Sequence, residues 1–179
     1  MTAILHSFDH ASSTEELIVT RHFVAPRMRV WKAWTVPERF VQWWGPKNFT
    51  TPYCRIDLRP GGTYLNCMRS PDGREYWSTG IYREVQPPSL LFCTDSFADA
   101  DGNVVPASHY GMGGEWPLEL LVTLTLREQY GGTRLTLRHA GIPAGEMRDL
   151  TETGWQESFD KLAEFLAGEK IFKAGCSGR

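Results

Sequence analysis

The feature that most constrains this chain is its last long segment with helical periodicity, residues 143–166. Small and apolar side chains recur there at steps of three and four residues, the pattern of a helix with one broad apolar stripe. The residues on that stripe are Met147, Leu150, Gly154, Trp155, Ser158, Phe159, Leu162, Phe165 and Leu166. Acidic residues in the first turns and Gly168 after the last turn agree with these limits. Every other element has to be compatible with one long helix near the end of the chain.

Two positions on the stripe, Gly154 and Ser158, are unusually small. A glycine inside a helix costs about 1 kcal/mol relative to alanine, so its presence needs a reason. One explanation is that a strand backbone packs closely against Gly154. The other is that Trp155 and Phe159 stand on either side of a space that a ligand occupies. The sequence leaves both explanations open.

Before this helix, the chain is a succession of short alternating segments separated by turn sequences. The predicted strands are residues 17–23, 52–59, 63–69, 75–85, 90–97, 120–127 and 133–139. Two short helices are predicted after the first strand, from Pro26 through Trp34 and from a capping-box pattern at Thr35 to Gly45-Pro46. Turns this close in sequence imply antiparallel hairpins, so we predict an α+β fold. One domain is expected over residues 15–168, with flexible termini at 1–14 and 169–179.

A curved sheet presents a wider apolar face than one helix can cover. Large side chains, loops or a cavity must take up the remainder. The longest irregular stretch, residues 98–118, contains a glycine-rich segment at 108–116. That segment is typical of a long hairpin connection, and such loops also serve as lids over binding sites.

The charge balance excludes several classes of partner. Nineteen basic and twenty-one acidic residues give a formal charge of −2, whereas proteins that bind nucleic acid or anionic membranes carry basic patches. The sequence has no apolar run long enough to span a bilayer and no visible secretory signal, so a cytoplasmic protein with reduced cysteines is expected. A two-residue loop at Pro60-Gly61 would place Cys54 opposite Cys67, although reduced thiols are favoured over a bridge.

Several motifs in the chain, taken in order, resemble the family named for activators of the heat-shock-protein-90 ATPase. The matching motifs are Arg21-x-Phe23-x-Ala25-Pro26, Val30-Trp31-x-Ala33-Trp34-Thr35-x-Pro37-Glu38, Trp43-Trp44-Gly45-Pro46, Asp57-x-Arg59-Pro60-Gly61-Gly62, Gly80-x-Tyr82-x-Glu84-Val85, Gly131-Gly132-Thr133-x-Leu135-Thr136 and Gly154-Trp155-x-x-Ser158-x-Asp160-x-Leu162. The family belongs to the START-like superfamily, which includes birch-pollen-type allergens and polyketide cyclases. The resemblance implies a helix-grip fold, in which the sheet wraps the C-terminal helix around an internal, often apolar pocket. The co-chaperones that stimulate the ATPase have a further N-terminal domain for which this chain has no room.

Motifs for specific chemistry are sparse. The sequence lacks the hydrolase elbow, the P-loop and the dinucleotide fingerprint, so no cofactor is predicted. His6 and His10 have metal-like spacing on a terminus, and the acidic run at residues 99–103 resembles a calcium loop, but no metal site is predicted from either. Candidate acid–base residues are Glu75, Asp95, His109, Glu115 and Glu119, but no catalytic residue is predicted. If the protein is an enzyme, His109 or Glu115 is the candidate proton-transfer group. His22 and His139 are expected to face water or a neighbouring strand.

The leading hypothesis is a START-like protein, without a recognised catalytic motif, that binds a small apolar or aromatic ligand. The residues predicted to line its pocket are Trp44, Tyr64, Trp77, Phe92, Met112, Trp155 and Phe159. A cyclase- or aromatase-type enzyme that uses the same pocket is the second hypothesis. The third is a partner-binding module that acts on a chaperone or forms a homodimer. No nucleic-acid or membrane partner is expected.

Overall fold

The computed structural model describes the backbone of residues 15–174 and the side chains of residues 16–169. Seven strands form one antiparallel sheet in the order β1-β7-β6-β5-β4-β3-β2. The strands are β1 (Glu15–Phe23), β2 (Thr50–Ile56), β3 (Thr63–Arg69), β4 (Glu75–Gln86), β5 (Leu90–Ala98), β6 (Leu120–Gln129) and β7 (Gly132–Ile142). Each neighbouring pair from β2 to β7 is joined in sequence order, and only β1 crosses to the far edge to pair with β7. The predicted α+β architecture is confirmed.

Three α-helices lie against this sheet. Helix α1 (Arg27–Thr35) and helix α2 (Pro37–Phe40) follow β1, and the long helix α3 (Glu146–Ala174) follows β7. The sheet curves around α3, whose side chains at Trp155, Phe159, Leu162 and Leu166 belong to the buried core. No helix among residues 15–174 is long and apolar enough to cross a membrane.

An aromatic cluster from α1, α2 and the following turn fills one end of the space between α3 and the sheet. Trp34 lies at its centre, and its ring contacts the rings of Phe40, Trp43, Trp44, Trp155 and Phe159 at centroid distances of 4.8–6.5 Å. The fully buried Trp43 donates its indole N–H to the carbonyl of Ala33 at 3.0 Å. Such ring pairs each stabilise a core by about 0.5–1.5 kcal/mol beyond the area they bury. The cluster packs one end of the interior solidly.

Two helix ends differ from the sequence prediction. Helix α2 is a single turn, and the hydroxyl of Thr35 donates to the carbonyl of Trp31 at 2.8 Å instead of capping that turn. Helix α3 does not end at Gly168 but continues to Ala174. The residue after Gly168 is Glu169, which forms ion pairs with α1 and α2. Glu169 lies 2.6 Å from the guanidinium of Arg39 and 3.8 Å from that of Arg29. We attribute the continuation of α3 to these ion pairs. They join residues that are far apart in sequence, so a glycine at position 168 could not indicate them.

The strand register expected from a two-residue loop, with Cys54 opposite Cys67, is wrong by one residue. Tyr53 is the residue opposite Cys67, and Cys54 is opposite Asn66. The turn after β2 is longer than two residues, because the N–H of residue 57 bonds to the carbonyl of residue 63. A slip of one residue turns a side chain to the other face of the sheet. Both cysteines are free thiols, as is Cys93.

Candidate functional site

A cavity of about 560 Å³ lies between the inner face of the sheet and the first half of α3. The aromatic cluster supplies one end, through Trp34, Trp44 and Trp155. Strands β3, β4 and β5 supply a wall, and β6 and β7 supply the face opposite the helix. Pockets of this size that are mostly apolar, with a few polar groups, are typical of small-molecule sites.

The small residues of α3 border this cavity. A Cβ built on Gly154 would have only one neighbour within 4 Å beyond its own helix, the Cγ atom of Pro46 at 3.6 Å. The explanation that a strand backbone packs against Gly154 is therefore wrong. Ser158 turns its hydroxyl back to the carbonyl of Gly154 at 2.8 Å, which satisfies that group within the helix. The space beside α3 exists because these two positions carry so little side chain.

Four of the seven predicted pocket residues line the cavity: Trp44, Tyr64, Met112 and Trp155. The other three, Trp77, Phe92 and Phe159, do not line it. Phe159 is fully buried in the aromatic cluster, with its ring 6.1 Å from that of Phe23. Phe159 lies on the same apolar stripe of α3 as Trp155, but other core side chains occupy the space next to its ring.

Trp77 and Phe92 do not line the cavity, because successive side chains of a strand point to opposite faces of the sheet. Ser78 and Tyr82 of β4 line the cavity, and Trp77 packs instead against the ring of Tyr53 at 5.4 Å. On β5, Leu91 and Cys93 line the cavity on either side of Phe92. Side chains of successive strand residues point to opposite faces, so Phe92 does not share the inner face with its two neighbours.

His109 and Glu115, the two candidate proton-transfer groups, are exposed and do not line the cavity. His109 lies in a 3₁₀ turn (Ala107–Tyr110), with its ring against that of Tyr110 at 4.9 Å. Both belong to the glycine-rich segment, but on its outer side. This segment contributes Gly111, Met112, Gly113 and Trp116 to the cavity instead.

Aromatic anchors hold the glycine-rich segment over the cavity. The hydroxyl of Tyr110 donates to the carbonyl of Ala98 at 2.5 Å and accepts the N–H of Trp77 at 3.0 Å. At the other end, the ring of Trp116 meets the ring of Phe97 edge-on at 5.5 Å. Between these anchors, Met112 reaches the cavity.

The mouth of the cavity lies between this segment and the start of α3. Leu150 lines the cavity and is 57% exposed, and the lining residues Gly111 and Gly113 are exposed as well. A Cβ on Gly114 would lie 3.8 Å from Met147 of α3, which shows how closely the two rims approach. These residues form the opening of the cavity.

A polar network crosses the apolar lining near Trp155. The indole N–H of Trp155 donates to Nδ1 of His139 at 3.2 Å, and Nε2 of His139 lies 3.5 Å from Oδ2 of Asp95. The hydroxyl of Tyr64 donates to Oδ1 of Asp95 at 2.7 Å. All four side chains line the cavity. The expectation that His139 faces water or a neighbouring strand is wrong, since the residue is 6% exposed and points inward.

The hydrogen bond from Trp155 defines the state of His139. An indole N–H can only donate, so Nδ1 of His139 must accept and carries no proton. The remaining proton of a neutral imidazole then lies on Nε2, which faces Asp95. His139 is therefore a neutral ring held in one tautomer.

Gly80 allows Tyr64 to reach Asp95. Tyr64 and Gly80 are opposite each other on β3 and β4, and a Cβ at position 80 would be 2.7 Å from the tyrosine ring. The same Cβ would collide with the carbonyl oxygen of Thr94. Burial and the neighbouring Asp95 raise the pKa of Tyr64 well above its usual value, so its hydroxyl stays protonated and donates.

One lysine holds the aromatic end of the cavity in place. Nζ of Lys161 lies 2.9–3.4 Å from the carbonyl oxygens of Trp44, Gly45, Pro46 and Phe49, which share its three N–H donors. Residues 44 and 46 both line the cavity, so this ammonium group connects α3 to the chain segment opposite it. Hydrogen bonds from charged groups are among the stronger ones in proteins.

Metal-binding patterns do not assemble in the described part of the chain. Among residues 15–174, no three His, Cys, Asp or Glu side chains are grouped to hold a metal ion. Asp99 accepts the backbone N–H groups of Asp101 and Asn103, which makes this loop a hydrogen-bonded turn. The pair His6 and His10 lies outside the described residues.

Comparisons with known proteins agree with this fold. The family model described as activator of Hsp90 ATPase homolog 1-like protein matches residues 24–167. Among solved structures, a protein of Nitrosomonas europaea is 26% identical with a TM-score of 0.69, and the match covers 87% of this chain and 96% of that one. A protein of Mycobacterium smegmatis is 27% identical with a TM-score of 0.67, over 92% of this chain and 93% of the other.

A third solved structure carries the family's name. This protein, from Silicibacter pomeroyi, is 27% identical with a TM-score of 0.69, and the match covers 87% of this chain and 99% of that one. No curated protein matches the chain.

Proposed function

Because this chain belongs to the family described as activator of Hsp90 ATPase homolog 1-like protein, which has the START-like fold, we propose that it binds a small apolar or aromatic molecule in the cavity between the sheet and α3. Membership of the family supports a ligand-binding or a partner-binding module. The observation that favours a ligand is the cavity of about 560 Å³ beside Gly154. Its lining is mostly apolar, with three tryptophans at one end, and its mouth lies between the glycine-rich segment and the side chains of Met147 and Leu150 on α3.

The volume and the shape of the lining indicate a molecule of one to three rings or an equivalent chain. Trp44 and Trp155 meet at a centroid distance of 5.1 Å and present their faces and edges to the space. Burying apolar surface against such rings contributes about 25 cal/mol per Å² removed from water. A ligand would therefore bury the apolar surface that α3 leaves uncovered in the cavity.

The test is binding of an uncharged apolar dye, N-phenyl-1-naphthylamine, followed by its fluorescence increase. The wild-type protein is expected to bind it with saturation, and Gly154→Leu is expected to lose that binding because the new side chain enters the cavity. Gly168→Leu is the matched control. It makes the same change in the same helix at a position that does not line the cavity.

Circular dichroism and thermal melting establish that both variants are folded. Absence of saturable binding to the wild type would contradict the proposal, and so would equal binding to Gly154→Leu. Hydrophobic dye binding that Gly168→Leu abolishes to the same extent would point to an exterior site instead.

The second candidate function, proton transfer on a bound molecule, is favoured by one observation. Asp95 and His139 place a carboxylate and a neutral imidazole N–H side by side in the cavity, 3.5 Å apart. Groups of this kind, inside a site that limits water, can act as general base and acid. They replace His109 and Glu115 as the residues to examine.

Hydrogen–deuterium exchange at the α-carbon of 1-tetralone, a bicyclic ketone that fits the cavity, tests this candidate. Wild-type protein is expected to accelerate exchange above the buffer rate, and Asp95→Asn is expected to remove the acceleration. Exchange at the buffer rate in the presence of saturating wild-type protein would exclude the enzyme hypothesis for this class of substrate.

A further inference from the structure

The lining of the cavity, within the described residues, has one acidic side chain and neither lysine nor arginine to pair with it. The acidic residue is Asp95. The carboxylate side chain retains 26% of its accessible surface, and it lines the cavity. An anion that is enclosed without a cation is costly, because the enclosed site solvates it less well than water does.

His139 is the residue that could have supplied the positive charge, and its hydrogen bonding prevents this. Nδ1 accepts the indole N–H of Trp155, so protonation of Nδ1 would set two donors against each other. The neutral ring offers Asp95 only the N–H at Nε2, at 3.5 Å from Oδ2, and no hydrogen bond is formed at that distance. Tyr64 occupies Oδ1. Oδ2 is therefore the carboxylate oxygen without a close donor.

The mouth of the cavity carries an excess of the same sign of charge, and the basic Arg148 in the first turn of α3 pairs with Glu152 at 3.5 Å. Glu115 and Glu119 belong to or follow the glycine-rich rim, and Glu146 and Asp149 are in the first turn of α3, where Leu150 marks the opening. All four are exposed. Acidic groups around an opening raise the local concentration of cations and speed their entry.

From these observations we propose that the ligand is a hydrophobic amine, whose protonated nitrogen pairs with Asp95 and whose apolar body lies against Trp34, Trp44 and Trp155. This inference rests on the proposed function and defines the chemical class of its ligand. The ammonium group supplies the missing counter-charge and donates to Oδ2, and the indole rings take the apolar part and attract cationic charge through their faces. A carboxylate ligand would be repelled by Asp95, and a neutral ligand would leave that carboxylate uncompensated.

The experiment compares four ligands that share one naphthalene ring and differ in the group attached to it. They are 2-naphthylmethylamine, 2-naphthylmethanol, 2-ethylnaphthalene and 2-naphthoate, which provide a cation, a hydroxyl, a hydrocarbon and an anion. Isothermal titration calorimetry at neutral pH and low salt is expected to rank the amine first, about tenfold or more tighter than the alcohol and the hydrocarbon, with the anion weakest. The affinity of the amine is also expected to fall with added salt and to fall when the pH rises enough to deprotonate it.

The variant Asp95→Asn keeps the shape and an acceptor for Tyr64 but removes the charge. It is expected to bring the affinity for the amine close to that for the hydrocarbon. Asp101→Asn is the matched control, because Asp101 is exposed on a loop outside the cavity, and it should retain the preference of the wild type.

The outcomes separate this inference from the function on which it rests. Wild-type protein that binds 2-ethylnaphthalene but gives the alcohol or the hydrocarbon an equal or higher affinity than the amine overturns the amine proposal and leaves the apolar pocket standing. An unchanged affinity for the amine in folded Asp95→Asn also overturns it. If none of the four ligands binds to the wild type, the pocket function fails with it. The wild-type series decides the question even if Asp95→Asn does not fold.

Discussion

At the scale of single residues, Gly154 lowers the stability of helix α3 and leaves space for the cavity. It lies inside α3, has one neighbour within 4 Å of a built Cβ, and needs no unusual backbone conformation. Gly154→Ala should therefore stabilise the protein by about 0.5–1 kcal/mol, because alanine has the higher helix propensity and its methyl group meets open space. Urea unfolding of the variant and the wild type measures this difference. A destabilised variant would indicate that the backbone of another element approaches α3 here after all.

Cys54 provides a second test at this scale. Burial, with a smaller contribution from Glu38, raises the pKa of its thiol to about 12. At pH 8 only about one thiol in ten thousand would be ionised, and the thiolate is the form that reacts. Alkylation of Cys54 by iodoacetamide should therefore be at least about a thousandfold slower than in the urea-unfolded chain and should accelerate about tenfold per pH unit below pH 12. Peptide mass spectrometry after timed quenching follows this residue alone, and reaction at the unfolded rate at pH 8 would contradict the burial.

The polar network around Asp95 and His139 shows what cannot be predicted from the sequence one residue at a time. Leu135 and Leu137 are buried on β7, and the same alternation places His139 on their face. Alternation on β5 similarly places Asp95 with Leu91 and Cys93. Each residue could therefore have been assigned to the interior from the sequence. Their proximity to each other could not, because it depends on the register of β5 with β6 and of β6 with β7.

At the scale of elements, Lys161 determines how firmly α3 is joined to the segment at residues 44–49. The three N–H groups of its ammonium are shared among four carbonyl oxygens, of which that of Trp44 also accepts the Thr51 hydroxyl and that of Pro46 the N–H of Phe49. Lys161→Met keeps the length of the side chain but removes these bonds, and it should destabilise the protein by about 2–3 kcal/mol. Urea unfolding measures the loss, and Lys32→Met, at an exposed position of α1, should change stability by less than about 0.5 kcal/mol. A variant at position 161 as stable as the control would mean that water replaces the lysine without cost.

The elements themselves were predictable because their signals are local. Alternation and turn sequences such as Pro60-Gly61-Gly62 lie within a few residues, and they defined all seven strands and their antiparallel sense. The errors occurred where a distant contact decides the outcome. Helix α3 passes Gly168 beside ion pairs to Glu169, and the turn after β2 shifts the register of Cys54. Two of the pocket residues, Trp155 and Phe159, were predicted from the apolar stripe of α3, which cannot distinguish Trp155 at the cavity from Phe159 in the packed core.

At the scale of the whole molecule, the fold leaves its core incomplete at the site where the function is proposed. The aromatic cluster packs one end of the interior, and the other end stays open beside the small residues of α3. A ligand that binds only the folded state adds RT ln(1 + [L]/Kd) to the free energy of unfolding, about 2.7 kcal/mol at one hundred times Kd. For a domain of this size, that amount corresponds to a rise in Tm of about 5–10 °C.

N-phenyl-1-naphthylamine at that concentration should therefore raise the Tm of the wild type by about 5–10 °C and that of Gly168→Leu by a similar amount. Gly154→Leu should show no shift, because its own side chain occupies the space that the dye would take. Differential scanning calorimetry over a range of dye concentrations measures the effect, and the shift should grow with the logarithm of concentration. A dye that binds the wild type with saturation but leaves Tm unchanged would bind the unfolded chain equally well. Completion of the core by the ligand would then be excluded as the basis of binding.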